Sequence, residues 1–326
     1  LTVDECFMST ENNIYNVDLV KKQQQAIDDS GFYGIPTILK YDGTKVVHGP
    51  TDKVPISSYP TGHNENLDAP PVIWEHPISD TPPFGLYCVG VDPYRQGKAE
   101  YSDSLGAVYV FKRMHDIYSE KFQDCFVASY VARPDSIIKW QETARWLIRY
   151  YNARTLVEND ELSFINYMVY KGDEGYLESK PEWLKSLSSS STNTNRDFGI
   201  STTNPKIRDH VFTKLKTYSE ESIDKEVAED GTIISETFGM SKIPDRVLLE
   251  EMKKYDGKIN VDRIIAASLA VTLASHLDPI VGKIGGTEED PRLKGYFNRN
   301  KGIKSKNTPS PIITNRYKRN SINIFK

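Results

Sequence analysis

Three carboxylates in this chain stand where an ionised group is hard to keep. Asp92 follows the continuous apolar run Leu86-Tyr87-Cys88-Val89-Gly90-Val91 and precedes Pro93. Glu158 closes the short run 154–157 in the sequence LVEND, and Asp262 lies in the first turn of an almost wholly apolar stretch, NVDRIIAASLA. Burial disfavours the charged form of each acid unless a counter-charge is near. If the strands ending at Asp92 and Glu158 lie side by side and parallel, the two acids emerge together at one sheet edge. A helix opening at Asp262 can bring a third to the same spot. Three clustered carboxylates repel one another unless a cation screens them, and hard oxygen ligands suit Mg²⁺ or Mn²⁺. Two such ions about 4 Å apart activate a water and stabilise the leaving oxygen of a phosphodiester. Taken singly, each acid has an ordinary use: a turn residue, a salt-bridge partner, a charge that favours a helix N-terminus. Together on one fold they point to a site.

The elements that must position them follow from periodicity. Residues 16–30 predict a short helix with Val17, Val20, Gln24 and Ile27 on one side, and Tyr41-Asp42-Gly43-Thr44 predicts a hairpin between 38–40 and 45–47. Prolines at 50, 55, 60, 70, 71, 77, 82 and 83 predict an extended connector with small strands up to about residue 80. Then come three strand-like runs, 86–91, 105–112 and 125–131, joined by short polar segments that suit antiparallel pairing. Asp135 or Ser136 can cap a helix with Ile137, Trp140, Ala144, Leu147, Ile148 and Tyr151 at helical spacing, followed by a strand at 154–157 and a helix at 162–170. The order strand, strand, strand, helix, strand, helix characterises an α/β fold of the ribonuclease H-like class: a mixed sheet of about five or more strands, the first three antiparallel, flanked by helices. The run 186–195 (SLSSSSTNTN) reads as a polar loop or disordered insertion. Helices are expected after Asn204-Pro205, over 244–255, and over 261–275, the last apolar nearly all round and so buried.

Composition bounds the remaining classes. The chain has 326 residues, 26% charged and 38% hydrophobic, which excludes wholesale disorder and suits about two domains. The longest nearly unbroken apolar run, 264–274, is far short of the ~20 residues of a membrane span. Of the net charge of −4, residues 292–326 carry +10, with no Asp or Glu, and the rest carry −14. Such a tail suits nucleic acid or another acidic surface. Cys6, Cys88 and Cys125 show no CxxC spacing, so free thiols in a reducing compartment are expected. No signal peptide is visible, and the first residue is Leu, which suggests a fragment of a longer chain.

Several segments resemble large terminase subunits of tailed bacteriophages. YCVGVDPYRQGKAEYSDSLGAVYVFKR (87–113) is similar to their first nuclease motif, TLVENDELSFINYMV (155–169) to the second, and KINVDRIIAASLAVTLA (258–274) to the third. RDFGISTTNPKIRDHVFTKL (196–215) resembles the segment between the second and third, and LTVDECF (1–7) the stretch that closes the motor domain before the nuclease. The resemblance implies a metal-dependent endonuclease that cuts concatemeric viral DNA during genome packaging in the host cell cytoplasm. It makes Asp92, Glu158 and Asp262 ligands for two Mg²⁺ or Mn²⁺ ions, adds Asp103 as a further acid, and implies a portal protein and a small terminase subunit as partners. Residues 1–80 then become a remnant following the motor, 81–280 the nuclease domain and 281–326 a basic tail. Two departures stand out. The third motif offers one carboxylate where many members carry a second Asp or a His, so a second ion is expected to bind weakly or to need DNA phosphate. No GxxxxGK[ST] phosphate loop is present, so no ATPase activity is expected of this piece.

Double-stranded DNA would meet local basic groups: Arg95 and Lys98 after Asp92, Lys206 and Arg208 at a helix start, and Arg263 beside Asp262. The tail around Arg316, Tyr317, Lys318 and Arg319 would add salt-sensitive contacts with DNA or dock on an acidic partner such as a portal. No base-reading element is apparent. Two other functions share these residues: a junction resolvase or transposase-like enzyme of the same fold, and a DNA- or portal-docking module whose metal site is vestigial.

Overall fold

The computed structural model describes residues 13–62, 64–94, 104–115, 123–184, 197–228, 231–257 and 259–278. Its central strands are β4 (Tyr87–Asp92), β5 (Gly106–Lys112) and β6 (Cys125–Ala132), in which every residue is buried. Continuous apolar runs with β-branched and aromatic residues form such strands because helices or loops cover both sheet faces. β4 pairs antiparallel with β5, from Tyr87 opposite Lys112 to Asp92 opposite Ala107, and β5 pairs antiparallel with β6. Helix α2 (Ile137–Tyr150) then crosses over and β7 (Arg154–Val157) returns parallel to β4, with Val91 opposite Val157. α2 buries Trp140, Ala144, Leu147 and Ile148, as its spacing requires, while Ser136 takes the cap position without a side-chain hydrogen bond.

The order β6-β5-β4-β7, three antiparallel strands and a helix-linked parallel one, is ribonuclease H-like. Beyond β7, among the described residues, the sheet continues as isolated parallel bridges, Thr155 to Leu177 and Glu158 to Ile200. On the other side it gains more than the sequence suggested. The hairpin of β1 (Ile35–Tyr41) and β2 (Val46–Pro50) and the short β3 (Val72–Ile73) extend the same sheet, since β3 pairs with β6 and β1 with β3. Seven strands therefore run in the order β2-β1-β3-β6-β5-β4-β7. The small strands expected within the proline-rich connector thus join the main sheet. With the exception of His115, the described residues belong to one compact unit.

Three helices begin where a side chain satisfies their first N–H groups. Asn16 caps α1 (Val17–Ser30), Asn204 caps α4 (Pro205–Glu220) and Asp245 caps α5 (Arg246–Lys254); α3 spans Ser163–Tyr170. α6 (Asp262–His276) lies across β4 and β5, buried on nearly all sides. The contact with β4 is close: a Cβ on Gly90 would lie 1.9 Å from the Ala266 carbonyl oxygen and 2.6 Å from the Ala270 nitrogen. Any side chain at position 90 would collide with the helix backbone, so the approach requires glycine on the strand. Strands β8 (Ser222–Val227) and β9 (Ile233–Phe238) form a separate hairpin that the sequence reading missed. Cys88 and Cys125 are buried free thiols, as expected. Cys6, the polar run 186–195, the basic tail and the segment 1–7 lie outside the described residues.

Candidate functional site

Asp92 is the last residue of β4 and is 5% exposed. The Glu158 N–H donates to the Val91 carbonyl at 2.8 Å, which carries the parallel ladder one residue past β7 and sets Glu158 beside Asp92. Their carboxyl groups lie within hydrogen-bonding reach of each other. Burial pushes the Asp92 carboxyl well above the usual range, and the charges of Glu158 and then Asp262 push it further in the same direction. The first two acids thus meet at one sheet edge, from strands 66 positions apart in the chain.

Glu158 is held from its far side by the segment after residue 197. The Asn159 N–H donates to the Ile200 carbonyl at 2.8 Å, and the Ile200 N–H donates to Val157 at 3.0 Å. The Thr202 hydroxyl donates to a Glu158 carboxylate oxygen, and the Ser201 hydroxyl donates to Asp160 at 2.5 Å. Thr202 is a site residue that spacing alone could not reveal, although it falls within the segment 196–215 quoted above.

Asp262 opens α6 and is 8% exposed. Its Oδ2 accepts the Leu105 N–H at 2.7 Å and the Asn260 amide at 2.8 Å, while the Ser104 hydroxyl reaches Oδ1 at 3.4 Å. Burial raises its pKa to about 6, although these donors and Arg263 all favour the charged form. The Tyr59 hydroxyl donates to the Asn260 carbonyl, so the N-terminal part of the chain also braces this turn. A fourth acid, Glu251 of α5, is 1% exposed, and burial pushes its carboxyl up to about 8. The sequence carried a sign of it: Glu251 shares a helix face with Leu248 and Met252, both fully buried.

The basic residues divide. Lys206 and Arg208 are exposed in the first turn of α4, close in the chain to Thr202. Arg263, expected at the DNA surface, is 2% exposed, and its Nη1 faces Glu251 at 3.7 Å. A guanidinium enclosed behind the first turn of α6 does not reach a DNA phosphate, and the physical reason for its charge is Glu251. Asp103, Arg95 and Lys98 lie outside the described residues, although Ser104 and Leu105, next to Asp103, both touch Asp262.

A divalent cation fits the Asp92–Glu158 pair by its chemistry: two carboxyls in mutual reach, oxygen donors only, and one of them whose charged form burial and its neighbour disfavour. Asp262 is turned toward Leu105 and Asn260. Among the described residues no three His, Cys, Asp or Glu side chains are grouped so as to hold a metal ion. Among the described residues, too, no helix is long and apolar enough to cross a membrane.

No family model and no curated protein matches the chain. Among solved structures, the large terminase nuclease from the thermophilic phage G20c matches with 10% identity over 77% of this chain and 97% of that one, at a TM-score of 0.34. That likeness is too slight to bear on the site, whose chemistry is read from its own residues.

Proposed function

We propose that this chain is a divalent-metal-dependent DNA endonuclease that hydrolyses phosphodiester bonds. The observation that carries the reading is the meeting of Asp92 and Glu158 at the ends of neighbouring parallel strands, with Asp262 near enough to act on Asp92 electrostatically. Asp92 and Glu158 would hold the ion, with Asp262 and Asp103 as further acids and a second ion completed by DNA phosphate. When bound, such ions polarise the phosphate and lower the pKa of an attacking water. The chain's own residues supply position. Thr202 fixes the Glu158 carboxylate, Leu105 and Asn260 fix Asp262, and the buried strand ends keep bulk water from the acids. Lys206 and Arg208 would take backbone phosphates without reading sequence.

The order of the three acidic motifs supports the finer reading: cleavage of concatemeric viral DNA during packaging in the host cytoplasm, with a portal protein and a small terminase subunit as partners. The orientation of Asp262 toward Leu105 and Asn260 favours a second reading, a docking module with a vestigial metal site.

Nicking of supercoiled plasmid in Mg²⁺ or Mn²⁺ tests the proposal. Asp92→Asn and Glu158→Gln should each lower cleavage by at least about 100-fold with the circular dichroism spectrum unchanged. Cleavage by Asp92→Asn at the parental rate would overturn it, and salt-sensitive DNA binding without any metal-dependent cleavage would favour the docking module.

A further inference from the structure

We propose that Glu251 is a positioning residue for Asp262, acting as a helix cap supplied from a neighbouring helix. The proposal rests on the nuclease reading and goes beyond it, because Glu251 belongs to none of the acidic motifs.

α6 begins without a cap of its own. Val261 holds the cap position and has no side-chain hydrogen bond to give. The N–H of Ile264, third residue of the helix, is the donor that a Ser, Thr or Asp cap ordinarily takes. Here it donates to Glu251 Oε1 at 2.9 Å, from α5, in a fully buried setting. The other oxygen, Oε2, faces the Arg263 guanidinium. α5 is itself pinned at its opposite end. Asp245 Oδ1 accepts the Val247 and Leu248 N–H groups at 2.8 and 3.1 Å, and its Oδ2 accepts the Tyr109 hydroxyl of β5 at 2.6 Å. The sheet therefore holds α5 through Tyr109 and Asp245, and α5 holds the first turn of α6 through Glu251.

Asp262 lies in that turn, two residues before Ile264. It is grasped in front by Leu105 and Asn260 and fixed from behind by Glu251. The charge pattern fits this division. An acid behind Asp262 adds repulsion, and Arg263, next to Asp262 in the chain and enclosed with Glu251, offsets it. A buried ion pair gives little net stability compared with apolar residues of the same size, whereas losing one partner is costly. Its use here is to set an angle: that at which Asp262 leaves the helix toward Asp92.

The test is Mn²⁺ binding to the full chain, followed by the paramagnetic resonance signal of free Mn²⁺, for the parent, Glu251→Met and Glu251→Gln. Methionine has similar length and volume but accepts no strong hydrogen bond. Glutamine keeps the oxygen that Ile264 needs. Glu251→Met should weaken Mn²⁺ binding about 10-fold or more, and Glu251→Gln should stay within about three-fold of the parent. A general structural role would lower the melting temperature without separating the two variants in this way. Parental Mn²⁺ affinity in Glu251→Met, or equal weakening in both, would overturn the proposal. If Glu251→Met does not fold, the double variant Glu251→Met, Arg263→Met removes both charges and carries the same expectation. If the parent itself binds no Mn²⁺, the nuclease reading fails, and Glu251 is judged by hydrogen exchange at the Ile264 amide. That exchange should be about 10-fold faster in the methionine variant than in the glutamine variant, and equal rates would overturn the capping role.

Discussion

Replacing Asp262 with asparagine should make the metal-free protein more stable at neutral and alkaline pH. Its carboxyl, with a normal value of 3.8, is raised to about 6 by burial. A shift of roughly two units corresponds to about 3 kcal/mol between the charged and neutral forms. The sign follows from the direction. A folded-state value above the unfolded one means that stability is highest below pH 3.8 and is lost as pH rises through about 6. Above that, the folded protein carries the full penalty. Asparagine removes the charge and keeps one oxygen for the Leu105 N–H and the Asn260 amide, but it sets an amide against the Ser104 hydroxyl, which costs about 1 kcal/mol. The expected net gain is about 1–2 kcal/mol, or roughly 2–8 °C in Tm for a domain of this size. Thermal melts in EDTA at pH 8 and pH 4 measure it: the gain should be present at pH 8 and nearly absent at pH 4. Millimolar Mg²⁺ should favour the parent, since only the native state of the parent offers the full acid set to the ion. An Asp262→Asn variant no more stable than the parent at pH 8, or equally stabilised at both pH values, would refute the reasoning.

Other substitutions probe the site's supports. Thr202→Val keeps the shape and removes the hydroxyl bonded to Glu158, so cleavage should fall about 10-fold while stability changes by ~1 kcal/mol or less, as read by plasmid nicking and urea melts. Gly90→Ala would drive a methyl group into the α6 backbone and should destabilise the fold by about 3 kcal/mol or more in the same melts. Replacing both Lys206 and Arg208 with alanine should weaken duplex binding uniformly across sequences and reduce the slope of log affinity against log salt by about two.

How much of this was legible in the sequence depended on burial. The runs before Asp92 and Glu158 read as strands because both sheet faces are covered and the side chains are apolar without interruption. The helix at Asp262 read as buried for the same reason. β8 and β9 did not read as strands because their residues are largely exposed on both sides and show no alternation. The place of β1 to β3 in the main sheet was hidden because β3 is two residues long and joins the core through β6, more than fifty positions away. The acids could be named from their positions at element ends, whereas Thr202 acts through a single long-range hydrogen bond that leaves no period in the sequence, and Glu251 shows only as an acid on the buried face of its helix. Arg263 misled for a related reason: a cation beside an acidic motif looks like a phosphate contact until its burial against Glu251 is seen.

The seating of Gly90 between Ala266 and Ala270 divides the site into two mechanical halves. Asp92 lies two residues beyond that contact and Asp262 one helical turn before it, so the strand and the helix carry these two acids as a single rigid piece. Glu158 follows directly on β7, an edge strand of the main sheet, with isolated bridges at Leu177 and Ile200 beyond it. Any adjustment to an incoming ion or phosphate therefore falls to the Glu158 side, and the tether that governs its travel is the hydroxyl of Thr202.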